Sequence, residues 1–183
     1  MSTQGEPLAS LDRHLDFHPA MGMRWEITHS AEDTNGELFE SVHWYDAREP
    51  GPNVHLHPST NDTFEVVEGA LEVCVDGEWS TLRAGESLTV PAGVAHTFRN
   101  ASDQTVQVIA RIQPAGRSEA FFRDMHRLIQ EGKSKRLPPN GPRSAIYAAM
   151  LLGAYSDEIR SVKPPNGVFK VLAVVGKALR FKL

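Results

Sequence analysis

GPNVHLHPSTND at residues 51–62 and RAGESLTVPAGVAHTFRN at residues 83–100 decide how this chain is read. Side chains on a strand alternate between faces, so His55 and His57, two apart, point the same way and can reach one ion. His96 follows a Pro-Ala-Gly turn in the second stretch, and Asp62 lies five residues beyond His57. Imidazoles with one carboxylate suit one divalent transition metal, Fe, Mn, Ni, Cu or Zn. A shell left incomplete by the protein can admit a substrate or O2.

Outward from these stretches, residues 23 to 112 read as β. Short runs rich in Val, Thr, Phe, Trp and Leu are broken at close intervals by turn residues, with no helical run between them. That spacing predicts a sandwich or barrel of jelly-roll type. Asp76-Gly77 is the strongest hairpin signal. After Pro114 the period changes: Phe121, Phe122, Met125, Leu128 and Ile129 recur at helical spacing, with Ser118 placed to cap the helix and Gly132 to stop it. A second helix is predicted over 144–162 and a third over 167–183, beyond a linker at 133–142 and the Pro164-Pro165 break. The fold class is mainly β, a jelly-roll barrel followed by C-terminal α-helices. The division is an N-terminal arm over 1–22, a barrel over 23–114 and a helical extension over 115–183.

Charge is divided unevenly. Residues 159–183 hold six basic side chains and no acidic one, so the rest of the chain carries a formal −10 against −4 overall. An acidic body argues against nucleic acid as a partner. The basic tail reads as an amphipathic helix that either packs its apolar face on the protein or makes peripheral contact with an anionic membrane. The opening residues lack the basic and apolar regions of a signal peptide, and no apolar run is long enough to span a bilayer, so a cytoplasmic location is expected. Cys74 is the single cysteine and reads as a half-buried strand residue rather than a reactive thiol.

Over about residues 40 to 112 the chain resembles the cupin superfamily, whose motifs are G-x5-H-x-H-x(3,4)-E-x6-G and G-x5-P-x-G-x2-H-x3-N. The second is matched in full by Gly85, Pro91, Gly93, His96 and Asn100. The first is matched by His55, His57 and Gly69, but Asp62 stands where the family has Glu, and only three residues separate Gly51 from His55 where the motif has five. The resemblance implies metal-ligand roles for His55, His57 and His96, and for Asp62 as a direct ligand, a ligand through water, or an acceptor that orients an imidazole. Glu65 and His43 are substitute ligands.

Alternation puts Phe39, Ser41, His43 and Tyr45 on one face of their strand, making His43 and Tyr45 pocket residues if that face is inward. Phe98 shares the face of His96. Gln107, Ile109 and Arg111 share another face, and Arg111 either holds an acidic substrate from the pocket or lies at a rim or subunit interface. Three functions compete: a metal-dependent enzyme of dioxygenase type, with isomerase or lyase as variants; a small-molecule-binding module without catalysis; and a metal-free storage relative. A small-molecule substrate and a homodimer formed through sheet edges are the expected partners, unless helix 118–131 covers the edge instead.

Overall fold

A computed structural model describes residues 12–137, 139, 141–162 and 165–182. Most of the opening segment read for a signal peptide lies outside these residues, as do Pro138, Lys163 and Pro164 of the linker and tail. Two antiparallel sheets face each other. One has the order β1 (His14–Asp16), β2 (Met23–His29), β3 (Phe39–Tyr45), β10 (Val106–Gln113), β5 (Asn61–Glu68), β8 (Ser87–Val90). The other runs β11 (Arg160–Ser161), β4 (His55–Leu56), β9 (His96–Arg99), β6 (Ala70–Val75), β7 (Glu78–Arg83). Three helices follow the last long strand: α1 (Ser118–Gln130), α2 (Pro142–Ala154) and α3 (Asn166–Ala178).

Period-two patterning builds the core. In β3, Phe39, Ser41, His43 and Tyr45 are buried while the residues between them are only half-buried, and β10 buries Val106, Val108, Ala110 and Ile112 in the same way. Phe64 and Val66 of β5 meet Leu71 and Val73 of β6 in one apolar cluster. Each such side chain contributes about 1.5–3 kcal/mol on burial, so a slip of one residue in register would put this set in water. The β6–β7 hairpin closes on the pair Val75↔Glu78, and Asp76 and Gly77 both take positive φ, 50° and 90°. That two-residue turn matches the right-handed twist of its strands. β4 is shorter than the run NVHLHP because Pro58 has no N–H for the ladder. Contact resumes where the Gly93 N–H donates to the His57 carbonyl at 2.7 Å.

The helical region departs from the sequence reading in two places. Ser118 does not cap α1: Arg117 precedes the first turn with no side-chain cap, and Ser118 is buried with its hydroxyl toward Glu158. α2 stops at Ala154, well before residue 162, because Arg160 and Ser161 pair with Leu56 and His55 as β11. A long-range ladder has overridden local helical pattern there. α3 lies close against α2, where Gly176 sits under Ile146 and Met150, so packing accounts for part of its apolar face. Val171, Val174 and Leu179 remain exposed. Among the described residues no helix is long and apolar enough to cross a membrane.

The entry to β2 carries a pH-dependent contact. His18 places Nδ1 2.6 Å from Asp16 and Nε2 2.8 Å from Asp46, so both nitrogens donate and the ring is held as imidazolium. The Asp46 carboxylate raises the His18 pKa above its ordinary 6.5, partial burial opposes the shift, and Asp16 adds to it. A raised pKa means the folded state gains a proton partner, so the stabilisation is complete below about pH 6.5 and is lost as pH rises through the folded value. The melting temperature of the parent should exceed that of His18→Gln by more at about pH 5.5 than at about pH 8.5. Water reaches the pair, so the difference is modest.

Candidate metal centre and cavity

His55 and His96 are register partners across β4 and β9, which sets their rings side by side at 4.4 Å between centroids. His57, on the same face as His55, lies 5.3 and 5.5 Å from those two rings. Each imidazole is oriented by its Nδ1 on a main-chain carbonyl: His55 to Asn53 at 2.9 Å, His57 to Glu158 at 3.0 Å and His96 to Val94 at 3.1 Å. A carbonyl only accepts, so each Nδ1 donates its proton there, and Nε2 is the nitrogen left to face an ion. The three buried histidines offer ligand nitrogens within 4.8 Å of one another. Asp62 comes from β5 in the opposite sheet, its carboxylate 3.3 Å from His96 Nε2 and 3.7 Å from His57 Nε2.

These groups fit a transition ion and fit poorly together without one. His96 Nε2 is buried and has no hydrogen-bond partner. Burial lowers the His55 pKa well below the usual range, and the neighbouring His96 and His57 push it further down. Burial likewise lowers His57, against the attraction of Asp62. Buried imidazoles with ligand nitrogens this close, together with one carboxylate, are the donor set of Fe, Mn, Ni, Cu or Zn. Asp62, shorter than Glu by one methylene, still reaches the cluster because its inward register on β5 carries it there. Glu65, considered as a substitute ligand, faces outward and pairs with Arg111 at 2.7 Å.

A cavity of about 180 Å³ opens beside the histidines. His43 and Phe98 line it. Tyr45 is fully buried behind His43, whose ring bridges Ser41 and Tyr45 with 2.7 Å contacts on both nitrogens. Burial drives the His43 pKa down and that of Tyr45 up, the charges of Asp62 and Glu49 adding to the latter. Arg111 is outside the cavity: the alternation of β10 turns it to the outer face, between Glu40 at 2.6 Å and Glu65 at 2.7 Å. The inward placement considered for it is therefore corrected.

Several contributors had no local signal in the sequence. Trp25 stacks on His43 at 3.8 Å and 6°. Phe122 and Met125 of α1 and Leu151 of α2 line the cavity, and α1 also lies against the edge strand β1, where Gln130 Nε2 donates to the Asp16 carbonyl at 2.8 Å. Glu158 acts through its carbonyl, which composition cannot reveal.

A profile of the cupin domain family matches residues 45–111. The polyketide synthase CurC of Streptomyces cyaneus is 39% identical over 67 residues, 36% of this chain and 44% of that protein. Quercetin 2,3-dioxygenase of Bacillus subtilis is 33% identical over 72 residues, 39% of this chain and 21% of that protein. The chain thus matches less than half the length of these curated relatives. The crystal structure of an RmlC-like cupin from Shewanella frigidimarina superposes with a TM-score of 0.50 at 27% identity, covering 64% of this chain and 99% of that one.

Proposed function

Because the chain is a cupin-superfamily protein whose barrel holds three converging histidines, we propose that it is a metal-dependent enzyme of dioxygenase type acting on a small organic molecule. The observation that carries this reading is the set of three buried histidines whose ligand nitrogens lie within 4.8 Å of one another, with His96 Nε2 buried and without a hydrogen-bond partner. The name of the Bacillus subtilis relative supports the oxidative variant. His55, His57, His96 and Asp62 are the ligands. When bound, the metal supplies Lewis acidity and, for Fe, Mn, Ni or Cu, redox capacity at the cavity wall.

The chain's own groups do the rest. Main-chain carbonyls hold the imidazoles in the ligating tautomer, which saves reorganisation when the ion arrives. The aromatic and aliphatic walls keep bulk water from the reacting atoms. Pairing of two copies through the sheet edges, where β1, β8, β7 and β11 lie, belongs to the same reading.

Oxygen uptake is the test. Protein loaded separately with iron, manganese, nickel, copper or zinc is offered a panel of catechols, flavonols and enols. Uptake with a redox-active metal and none with zinc supports the dioxygenase reading. Substrate conversion without oxygen uptake would replace it by an isomerase or lyase, and ligand binding without consumption by a binding module.

A further inference from the structure

α3 has two apolar faces, and the rest of the chain covers one of them. The covered face holds Gly176, which sits under Ile146 and Met150 of α2, and Phe169, which reaches the cavity wall. The other face is bare. Val168, Val171, Val175 and Leu179 recur three and four residues apart, so they stand above one another along the helix, and Val174 widens the stripe. Val171, Val174 and Leu179 are 65%, 67% and 60% exposed. Among the described residues, five of the seven large apolar side chains that are exposed lie on this stripe, which is concentration on one face and not scatter. A valine left in water on a helix contributes neither burial nor good helix propensity, so folding of the chain alone does not account for the stripe.

The charge around the stripe selects its occupant. Lys170 and Lys177 are the i−4 and i+3 neighbours of Val174 and therefore line one flank. At its C-terminal end the stripe runs into an open cleft where Leu179 lies among Lys133, Arg143, Arg180 and Lys182, with no carboxylate among the described lining residues. Glu131 pairs with Lys133 at 2.6 Å, while Arg143, Lys170, Lys177, Arg180 and Lys182 make no ion pair among the described residues. Residues 159–183 have no acidic side chain, so the α3 of a second copy would bring like charge to the seam. An anionic lipid surface offers both apolar depth for the valines and fixed negative charge for the lysines and arginines. At about 1.5 Å per residue the helix is roughly 20 Å long, short of a hydrocarbon core of about 30 Å, so it lies along such a surface and does not cross it. The acid-rich remainder of the chain is repelled by the same surface and turns away from it.

We propose that the exposed face of α3 docks on an anionic bilayer, its valines and Leu179 at the boundary between headgroups and acyl chains and its basic neighbours on lipid phosphates. Docking holds the barrel at the membrane surface. It goes beyond the metal reading and does not depend on it.

Cosedimentation of the whole chain with vesicles tests this. Vesicles of phosphatidylcholine mixed with phosphatidylglycerol should carry the chain down, and vesicles of phosphatidylcholine alone should leave most of it in solution. Raising the salt from about 0.1 M to about 1 M, which shortens the screening length from about 10 Å to about 3 Å, should release it. Lys170→Gln combined with Lys177→Gln should weaken partitioning by about fivefold for each charge, roughly thirtyfold together. Val171→Ser combined with Val174→Ser should weaken it by about tenfold or more while the melting temperature stays that of the parent, because both side chains are already two-thirds in water. Inorganic phosphate should release no more chain than chloride at the same ionic strength. Equal binding to both kinds of vesicle, binding to neither, or binding that survives both pairs of substitutions would overturn the proposal. Release by phosphate at matched ionic strength would replace it by a site for the free anion, and a dimer that Val171→Ser with Val174→Ser dissociates, without vesicle binding, would give the stripe to a second copy. None of the substituted residues belongs to the histidine cluster, so the outcome is separate from that of the oxygen-uptake test.

Discussion

His57→Ala should leave the protein unable to retain its metal. The substitution deletes one of the three ligand nitrogens in the cluster and also strands the Glu158 carbonyl, which His57 Nδ1 meets at 3.0 Å. Losing a group that merely orients a ligand costs about 10–100-fold in metal affinity, so losing the ligand should cost more than about 100-fold. Any metal-dependent turnover should fall with it. His43→Ala is the informative partner, since His43 is also buried in the cavity wall but stands outside the cluster. Elemental analysis after dialysis should find the ion kept in His43→Ala and lost in His57→Ala. Equal retention in the two variants would mean that the cluster is not what holds the metal.

Gly51→Ala should cost stability out of proportion to one methyl group. Gly51 has φ +74°, and a Cβ there would lie against the backbone carbonyl of Phe98. The left-handed conformation alone costs about 1–2 kcal/mol for a residue with a side chain. The carbonyl belongs to β9 and cannot rotate away, so β9 itself must move, and the total should reach about 3 kcal/mol or more. For a chain of this length that corresponds to a melting temperature lower by about 10 °C. The displaced strand carries His96, two residues before Phe98, so metal retention should weaken as well. Gly77→Ala gives the comparison: φ is +90° there but nothing lies within 4 Å of the added carbon, so only the conformational cost remains. If the two variants melt together, the close approach at Gly51 is not a constraint.

Most of what was legible in the sequence was local. His55 and His57 share a face because strand alternation permits nothing else, and Asp76-Gly77 makes its hairpin because few dipeptides take two positive φ values so cheaply. The alternation of β3 likewise carried His43 and Tyr45 inward as one of two open choices. What was not legible depends on partners distant in the chain. Residues 156–162 follow a helical run and would extend it, yet β4 offers Arg160 and Ser161 a ladder, and that pairing decides their structure. Ser118 has the right chemistry for a cap but is buried under Glu158, forty residues away. Arg111 shows the same limit: parity gave its neighbours on the face, and only the sheet order gave Glu40 and Glu65 as its partners.

The extension beyond the barrel is accordingly more than an appendage. Its carbonyl at Glu158 orients His57, its side chain at Leu151 walls the cavity, and β11 lies directly beside His55. A barrel without it would expose the histidines on that side and lose one of their three orienting carbonyls.

Elemental analysis of the chain purified without added metal, read together with its melting temperature before and after chelation, tests the metal centre most directly. One transition ion per chain is the predicted content, with a lower melting temperature once the ion is stripped, since a ligand present at a hundredfold excess over its Kd stabilises the folded state by about 2.7 kcal/mol. A chain that takes up none of Fe, Mn, Ni, Cu or Zn, and melts at the same temperature whether or not they are present, would contradict it.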